Sequence, residues 1–125
     1  MAGKINSLSD DEQANYLKNT YGVKEVVLHE DIQHNCPLGE QVGVTHYEIK
    51  VVPGRYLAEL VQLHWDIQKM VGGTYTVESG AKEVLEKVKQ AYGDSQYIRV
   101  EASCPSNRHM AVDIAVEYVK QGDCQ

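Results

Sequence analysis

The stretch SGAKEVLEKVKQAY, residues 79–92, together with the two segments that follow it, QYIRVEASC (96–104) and MAVDIAVEY (110–118), decides the fold. In the first stretch apolar residues recur three and four positions apart, which predicts an amphipathic helix over Ser79–Tyr92 that ends before Gly93. In the other two, apolar and polar residues alternate, which predicts strands over Gln96–Cys104 and Met110–Tyr118, each with one polar face. The interval between these strands has the length of a hairpin connection.

The first half of the chain contains a second strand pair and a second helix. Val23–Glu30 is rich in β-branched residues and Val44–Val52 alternates, so both segments are predicted to be strands. The segment DIQHNCPLGEQVG between them contains one proline and two glycines, and is predicted to be loop for much of its length. After a Pro-Gly pair, the apolar spacing predicts a helix over Tyr56–Val71, which a Gly-Gly pair ends.

The element order is therefore ββααββ, which predicts an α+β fold with a four-stranded antiparallel sheet and two helices on one face. Ahead of this unit, Ser9 and Glu12 form a capping box that predicts a short peripheral helix over Ser9–Thr20. We divide the chain into an N-terminal helical lead-in (residues 1–22), a single domain (23–120) and a tail (121–125). Because a small sheet leaves open edges, we expect a homo-oligomer.

Length and composition exclude several classes of protein. The 125 residues suit one compact domain, and 42% hydrophobic with 24% charged residues is typical of globular proteins. The first residues show neither an apolar signal core nor an Arg-rich transit pattern, and no apolar run is long enough to span a membrane. We therefore expect a cytoplasmic protein with no membrane partner. The formal net charge of −6 and the lack of a basic cluster do not favour tRNA or DNA as a partner.

The cysteines are the first candidates for chemistry. Cys36, Cys104 and Cys124 are too few and too scattered for a disulfide framework or a zinc motif, so we interpret them as thiols. Cys36 lies in the polar segment His34–Pro37, where an exposed thiol can act as a nucleophile. The alternative is an incidental loop cysteine. Cys104 is interpreted as a small buried hydrophobe, and Cys124 as a tail thiol.

Glu78, just ahead of the amphipathic helix, is the second candidate. One interpretation is a first-turn carboxylate favoured by the helix dipole, with Thr76 or Ser79 as the cap. The other is a carboxylate that accepts two N–H bonds from a heterocycle. His46 on a strand and His64 on a helix show no metal-ligand spacing, so no metal site is predicted.

A set of residues spread from Cys36 to Tyr118 resembles a known group of enzymes. The set comprises Cys36-Pro37, Gln41, Ile49, Pro53, Glu78, Tyr97-Ile98, Val100 and Asp113. With the ββααββ order, it resembles the tunnelling fold, shared by purine- and pterin-binding enzymes whose subunits join their sheets into barrels. Within that group the chain is similar to the nitrile reductase of queuosine biosynthesis and to its short reductase-like relative, the amidinotransferase of archaeosine synthesis.

The resemblance implies roles for individual residues. Cys36 would add to the nitrile carbon of 7-cyano-7-deazaguanine to form a thioimide, while Glu78 and Gln41 would bind the guanine-like base. The acidic proton donor of the family is replaced by Gly43 in this chain. Proton transfer would then fall to Glu40 or His46.

The resemblance also separates the functional hypotheses. The Glu-Ser-Lys-Ser-Leu-Lys motif associated with nicotinamide binding falls on residues 59–64, Glu-Leu-Val-Gln-Leu-His, which keep only the glutamate and the leucine of the motif. The leading hypothesis therefore needs no cofactor: Cys36 captures the nitrile and passes it to ammonia, which gives an amidine. The alternatives are an NADPH-dependent reductase with a divergent cofactor site, a non-catalytic purine- or pterin-binding protein, and an enzyme of pterin chemistry such as a cyclohydrolase or aldolase.

Overall fold

The computed structural model describes residues 17–37, 42–105 and 110–122. Its elements are β1 (Val26–Asn35), β2 (Val42–Val52), α1 (Leu60–Gln68), α2 (Val77–Tyr92), β3 (Tyr97–Cys104) and β4 (Val112–Val119). The strands form one antiparallel sheet in the order β1-β2-β3-β4. The predicted ββααββ order and α+β class are confirmed. Neither helix of the described residues is long and apolar enough to cross a membrane.

Alternation along the strands builds the core on the helix-facing side of the sheet. On β2, Thr45, Tyr47, Ile49 and Val51 are all fully buried, while the residues between them are partly exposed. β3 repeats the pattern with Ile98, Val100, Ala102 and Cys104. α2 packs on β3 and β4, and α1 packs on α2 and β1. Each buried aliphatic side chain contributes about 1.5–3 kcal/mol, so this layer holds the domain together.

α2 begins earlier than predicted because Thr76 caps it. Thr76 Oγ1 accepts a hydrogen bond from the Ser79 N–H at 3.0 Å, and Ser79 Oγ accepts one from the Thr76 N–H at 3.1 Å, which is a capping box. Of the two predicted caps, the structure shows Thr76. Glu78 therefore lies in the first turn, and Gly93, with a φ of 76°, follows the last turn.

α1 is shorter than the predicted helix over Tyr56–Val71. The Leu57 N–H donates to the Leu17 carbonyl at 2.7 Å, which holds the chain ahead of Leu60 in an extended conformation. Glu59 then caps the helix with its side chain. The pairing with the N-terminal segment could not be read from the apolar spacing, and it shortens the helix at its start.

The same pairing corrects the predicted N-terminal helix over Ser9–Thr20. Residues 17–20 form a turn and a β-bridge between Lys18 and Tyr56 rather than the last turn of a helix. Asn19 Nδ2 holds this segment in place by donating to the carbonyls of Val23 and Gly54 at 2.9 and 3.1 Å. The rest of the predicted helix lies outside the described residues.

β1 is the element for which the prediction needs the largest correction. It begins later than the predicted Val23–Glu30 and continues through Asn35, so much of the predicted loop is strand. Within this extension Ile32 and His34 are buried, while the residues on either side of Ile32 are exposed. The period of two is present, but its outer face is entirely polar, and this polarity led to the prediction of a loop.

The side of the sheet without helices is called the open face below. Its exposed and half-buried residues are mostly polar: His29, Asp31 and Gln33 on β1, His46, Glu48 and Lys50 on β2, Arg99 and Glu101 on β3, and Asp113 and Glu117 on β4. Arg99 pairs with Glu101 at 3.0 Å and with Glu117 at 3.1 Å. The sheet leaves β1 and β4 as edges, and the expected homo-oligomer stays a prediction.

Candidate functional site

Cys36 and Glu78 lie at the same end of the sheet. Cys36 directly follows Asn35, the last residue of β1. The Asn35 N–H donates to the Gly73 carbonyl at 2.8 Å, and the Asn35 carbonyl accepts from the Tyr75 N–H at 3.0 Å. These bonds align the segment before α2 with the end of β1, and Glu78 follows in the first turn of α2. One chain therefore brings the thiol and the carboxylate to one end of its sheet.

Both of these side chains remain available to a ligand. Cys36 is a free, half-buried cysteine, and Glu78 is exposed. Neither side chain forms a hydrogen bond or an ion pair with another residue in the described ranges. The N-terminal turn of α2 favours the negative charge of Glu78 because backbone N–H groups point outward there.

His34 is a residue of this region that the sequence analysis did not single out. The residue is 4% exposed, its Nε2 lies 2.6 Å from Oγ1 of Thr45, and its ring stacks on Tyr75 with the centroids 4.4 Å apart. Its Nδ1 has no hydrogen-bond partner in the part of the chain that the structure describes. The sequence did contain a signal for its burial: His34 is two positions after Ile32, so both side chains lie on the same face of β1. This imidazole anchors the end of β1 two positions before Cys36.

Tyr47 and Tyr75 pack under the first turns of α2, and Gly80 allows this approach. A Cβ at Gly80 would lie 2.5 Å from the Tyr47 hydroxyl oxygen and 2.8 Å from a ring carbon of Tyr75. Burial is the main cause that raises the pKa of Tyr47, and the neighbouring Tyr75 raises it further. Burial also raises the pKa of Tyr75, to about 12. Both phenols are therefore protonated near neutral pH.

The structure leaves room for a Cβ at Gly43. This residue pairs with His34 across the β1–β2 ladder, and among the described residues a Cβ there would meet only Cys104 Sγ, at 3.9 Å. Cys104 is buried, as predicted. Position 43 supplies no acidic group, because its residue is glycine. Two further predicted site residues, Glu40 and Gln41, lie outside the described residues.

His46 lies on the open face of β2. Its Nδ1 is 2.6 Å from Oδ1 of Asp31, and its Nε2 is 3.4 Å from Nδ1 of His29. His64 lies elsewhere, on α1, with its Nδ1 2.7 Å from Oε2 of Glu30. Transfer of a proton by His46 stays a prediction.

Comparison with known proteins identifies the fold. No family model and no curated protein sequence matches the chain significantly. The crystal structure of the archaeosine synthase QueF-Like in its apo form matches with a TM-score of 0.69 and 20% identity, covering 77% of this chain and 94% of that one. Two other matches are aldolases. A proposed dihydroneopterin aldolase (FolB) from Vibrio cholerae O1 biovar El Tor matches with a TM-score of 0.60 and 13% identity, over 79% and 99% of the two chains.

The second aldolase, dihydroneopterin aldolase from Burkholderia thailendensis bound to guanine, matches with a TM-score of 0.53 and 17% identity, over 78% and 93% of the two chains. Both kinds of neighbour are tunnelling-fold proteins with this element order. The chain has the tunnelling fold. The expected tunnelling-fold resemblance is thus confirmed at the level of the fold, while the roles assigned to Cys36, Glu78 and Gln41 stay predictions.

Proposed function

We propose that this chain is an enzyme that captures the nitrile of 7-cyano-7-deazaguanine as a Cys36 thioimide and passes it to ammonia. The observation that carries the proposal is the pair of backbone hydrogen bonds made by Asn35, which places Cys36 and Glu78 at the same end of the sheet. A nucleophilic thiol and a carboxylate that can hold a heterocycle are the two groups that this reaction requires.

The proposed reaction balances without a redox partner. The Cys36 sulfur bonds to the nitrile carbon, one π bond of the nitrile breaks, and the nitrile nitrogen gains the proton that the thiol loses. Ammonia then adds to the same carbon, the carbon–sulfur bond breaks, and the thiol is restored as the amidine leaves. The net reaction converts a nitrile and ammonia into an amidine. It involves no oxidation or reduction, so no nicotinamide is required.

Glu78 is the proposed anchor for the base. A guanine-like edge presents adjacent N–H donors, and a carboxylate accepts two such bonds side by side. Glu78 is exposed and unpaired among the described residues, so both of its oxygens can accept. One tunnelling-fold neighbour is bound to guanine and another is an archaeosine synthase, which supports this class of ligand.

The start of α1 supports attack of ammonia on the thioimide rather than its reduction by a hydride. This segment occupies the positions of the nicotinamide motif, and its glutamate, Glu59, accepts the Gln62 N–H at 2.6 Å as the helix N-cap. Leu63 in the same segment is buried in the core. The glutamate that remains from the motif is thus engaged within the helix, and the two lysines of the motif are replaced by Val61 and His64.

Intact-protein mass spectrometry of the full chain incubated with 7-cyano-7-deazaguanine tests this function. We expect a single addition equal to the mass of the ligand, and we expect ammonium to clear it with release of the amidine. The matched ligand control is 7-deazaguanine without the nitrile, which should give no covalent addition. A folded protein that gains no mass would contradict the proposal, and clearance by NADPH with its oxidation would replace it with the reductase alternative.

Glu78→Gln should weaken binding of the base without removing the capacity for capture. A neutral amide replaces a charge-assisted acceptor worth about 1.5–3 kcal/mol, so the ligand concentration for half-maximal capture should rise about 10- to 100-fold. Glu86→Gln, an exposed change on the same helix, is the matched control and should leave this concentration unchanged. If Glu78→Gln and Glu86→Gln require the same ligand concentration for half-maximal capture, Glu78 does not bind the base.

A second candidate function is a non-catalytic purine- or pterin-binding protein. Gly43 favours it, because the proton donor of the resembled reductase is missing at that position. The two aldolase neighbours favour a pterin or purine ligand on the same tunnelling fold. Guanine or a pterin that raises the melting temperature, in a protein that forms no nitrile adduct, would select this function over the first.

A further inference from the structure

Two histidines on neighbouring strands of the open face bring ring nitrogens close together. Nδ1 of His29, on β1, lies 3.4 Å from Nε2 of His46, on β2. The other ring nitrogen of His46, Nδ1, lies 2.6 Å from Oδ1 of Asp31. The His46 and Asp31 side chains are 45% and 69% exposed, and His29 is exposed as well. Solvent and dissolved ions therefore reach this cluster.

The separation of the two nitrogens matches that of two ligands on one tetrahedral metal ion. Zinc–nitrogen bonds of about 2.0–2.1 Å at a tetrahedral angle place two ligand nitrogens about 3.3–3.4 Å apart. As a hydrogen bond between the rings, 3.4 Å exceeds the usual N–H···acceptor range. The observed spacing is thus the spacing that joint ligation of one metal ion by the two imidazoles requires.

The contact with Asp31 favours the tautomer of His46 that can bind a metal. A carboxylate that accepts the Nδ1 proton of a histidine leaves the lone pair on Nε2, and this arrangement orients histidines in many zinc sites. In this chain the Nε2 left free in that way is the nitrogen that faces His29. Asp31 is therefore a positioning residue, and the two imidazoles are the ligands.

We propose that His29 and His46 bind a divalent transition-metal ion of the zinc class on the open face. In the described part of the chain no third His, Cys, Asp or Glu completes the group, so the remaining positions would be taken by water or by an added ligand. Such a site is open, unlike a structural site with four protein ligands. Imidazole ligands select zinc, cobalt or copper over calcium and magnesium. The proposal does not depend on the chemistry of Cys36.

The test is titration of the full chain with Zn²⁺ by calorimetry, and with Co²⁺ by visible absorption, which reports tetrahedral ligation. We expect one ion per chain. His29→Gln and His46→Gln should each weaken binding by at least about 100-fold, and Asp31→Asn by about 10- to 100-fold. His64→Gln is the matched control, because His64 also pairs with a carboxylate, Glu30, yet no contact joins it to a second histidine within residues 17–37, 42–105 and 110–122, and this variant should bind the ion as the parent does.

The melting temperature and a Cys36→Ala variant provide two further tests of the metal site. Zn²⁺ should raise the melting temperature of the parent and of His64→Gln but not of His29→Gln, which also shows that each variant is folded. Cys36→Ala should keep the metal, since a thiol is the main competing ligand. The proposal fails if the parent takes up no zinc, if the His29 and His46 variants bind as well as the parent, or if Cys36→Ala loses the ion.

Discussion

Replacing Cys36 by alanine is expected to abolish the covalent adduct with 7-cyano-7-deazaguanine completely. The carbon–sulfur bond needs this thiol, and the other cysteine within the described residues, Cys104, is only 5% exposed. Binding of the base should persist because Glu78 is unchanged. Mass spectrometry for the adduct and thermal shift for binding, on the same samples, measure the two effects separately.

Two variants give this prediction its controls. Cys104→Ala removes a thiol near the same end of the sheet and should leave the adduct intact. Cys36→Ser keeps the size of the side chain but offers a hydroxyl, a much weaker nucleophile, and should also form no adduct. Ligand mass retained in Cys36→Ala would assign the capture to a different nucleophile and remove the proposed mechanism.

Gly80→Ala should destabilise the fold by about 2–3 kcal/mol, although alanine is the better helix former. In an exposed helix interior the same change would stabilise by about 1 kcal/mol. Here the new Cβ would lie 2.5 Å from the hydroxyl oxygen of Tyr47, which is fully buried, and 2.8 Å from the ring of Tyr75. Urea denaturation at neutral pH measures the change in the free energy of unfolding.

The sign of this change is the discriminating result. Gln90→Ala, at an exposed position of the same helix, is the control and should alter stability by less than about 0.5 kcal/mol. Tyr47→Phe removes the contacting oxygen and should recover part of the loss when combined with Gly80→Ala. A Gly80→Ala protein as stable as the parent would show that the tyrosines can move aside.

The sequence was sufficient for the order of elements and for most of the core. Period-two alternation identified the buried face of β2 and β3, because a strand that is buried on one side alternates apolar and polar residues. The apolar stripe of α2 was equally informative. The start of α2 was predicted two residues late, although the Thr76 and Ser79 capping box that sets it depends on residues only three positions apart.

The errors in the prediction have physical causes outside the local sequence. The polar outer face of β1 concealed its extension to Asn35, because the pairing of Asp31 with His46 replaces apolar burial there. The start of α1 is shortened by pairing with the segment around Leu17, a contact between distant parts of the chain. Such partners depend on the register of the fold, and no spacing rule within one segment reveals them.

The candidate site shows the same division. Cys36 and Glu78 were visible from their residue types and local context, whereas their placement at one end of the sheet depends on the Asn35 bonds to the segment before α2. His29 and His46 were not recognised as a pair, because they are far apart in sequence and adjacent only across the ladder. Residue chemistry could be read from the sequence, while the partners of those residues required the sheet register.

The strand order has a consequence for how the chain folds. The ladders β1–β2 and β3–β4 each join consecutive strands, whereas β2–β3 joins strands separated by both helices. Closing that long loop costs chain entropy before its contacts form, so we infer that two local hairpins nucleate first and the central ladder forms later. The thiol belongs to the first hairpin and the carboxylate to the connection that this closure orders. Under the proposed function, a partly folded chain would therefore carry the proposed nucleophile, Cys36, before Glu78, the proposed anchor of the base, is in place.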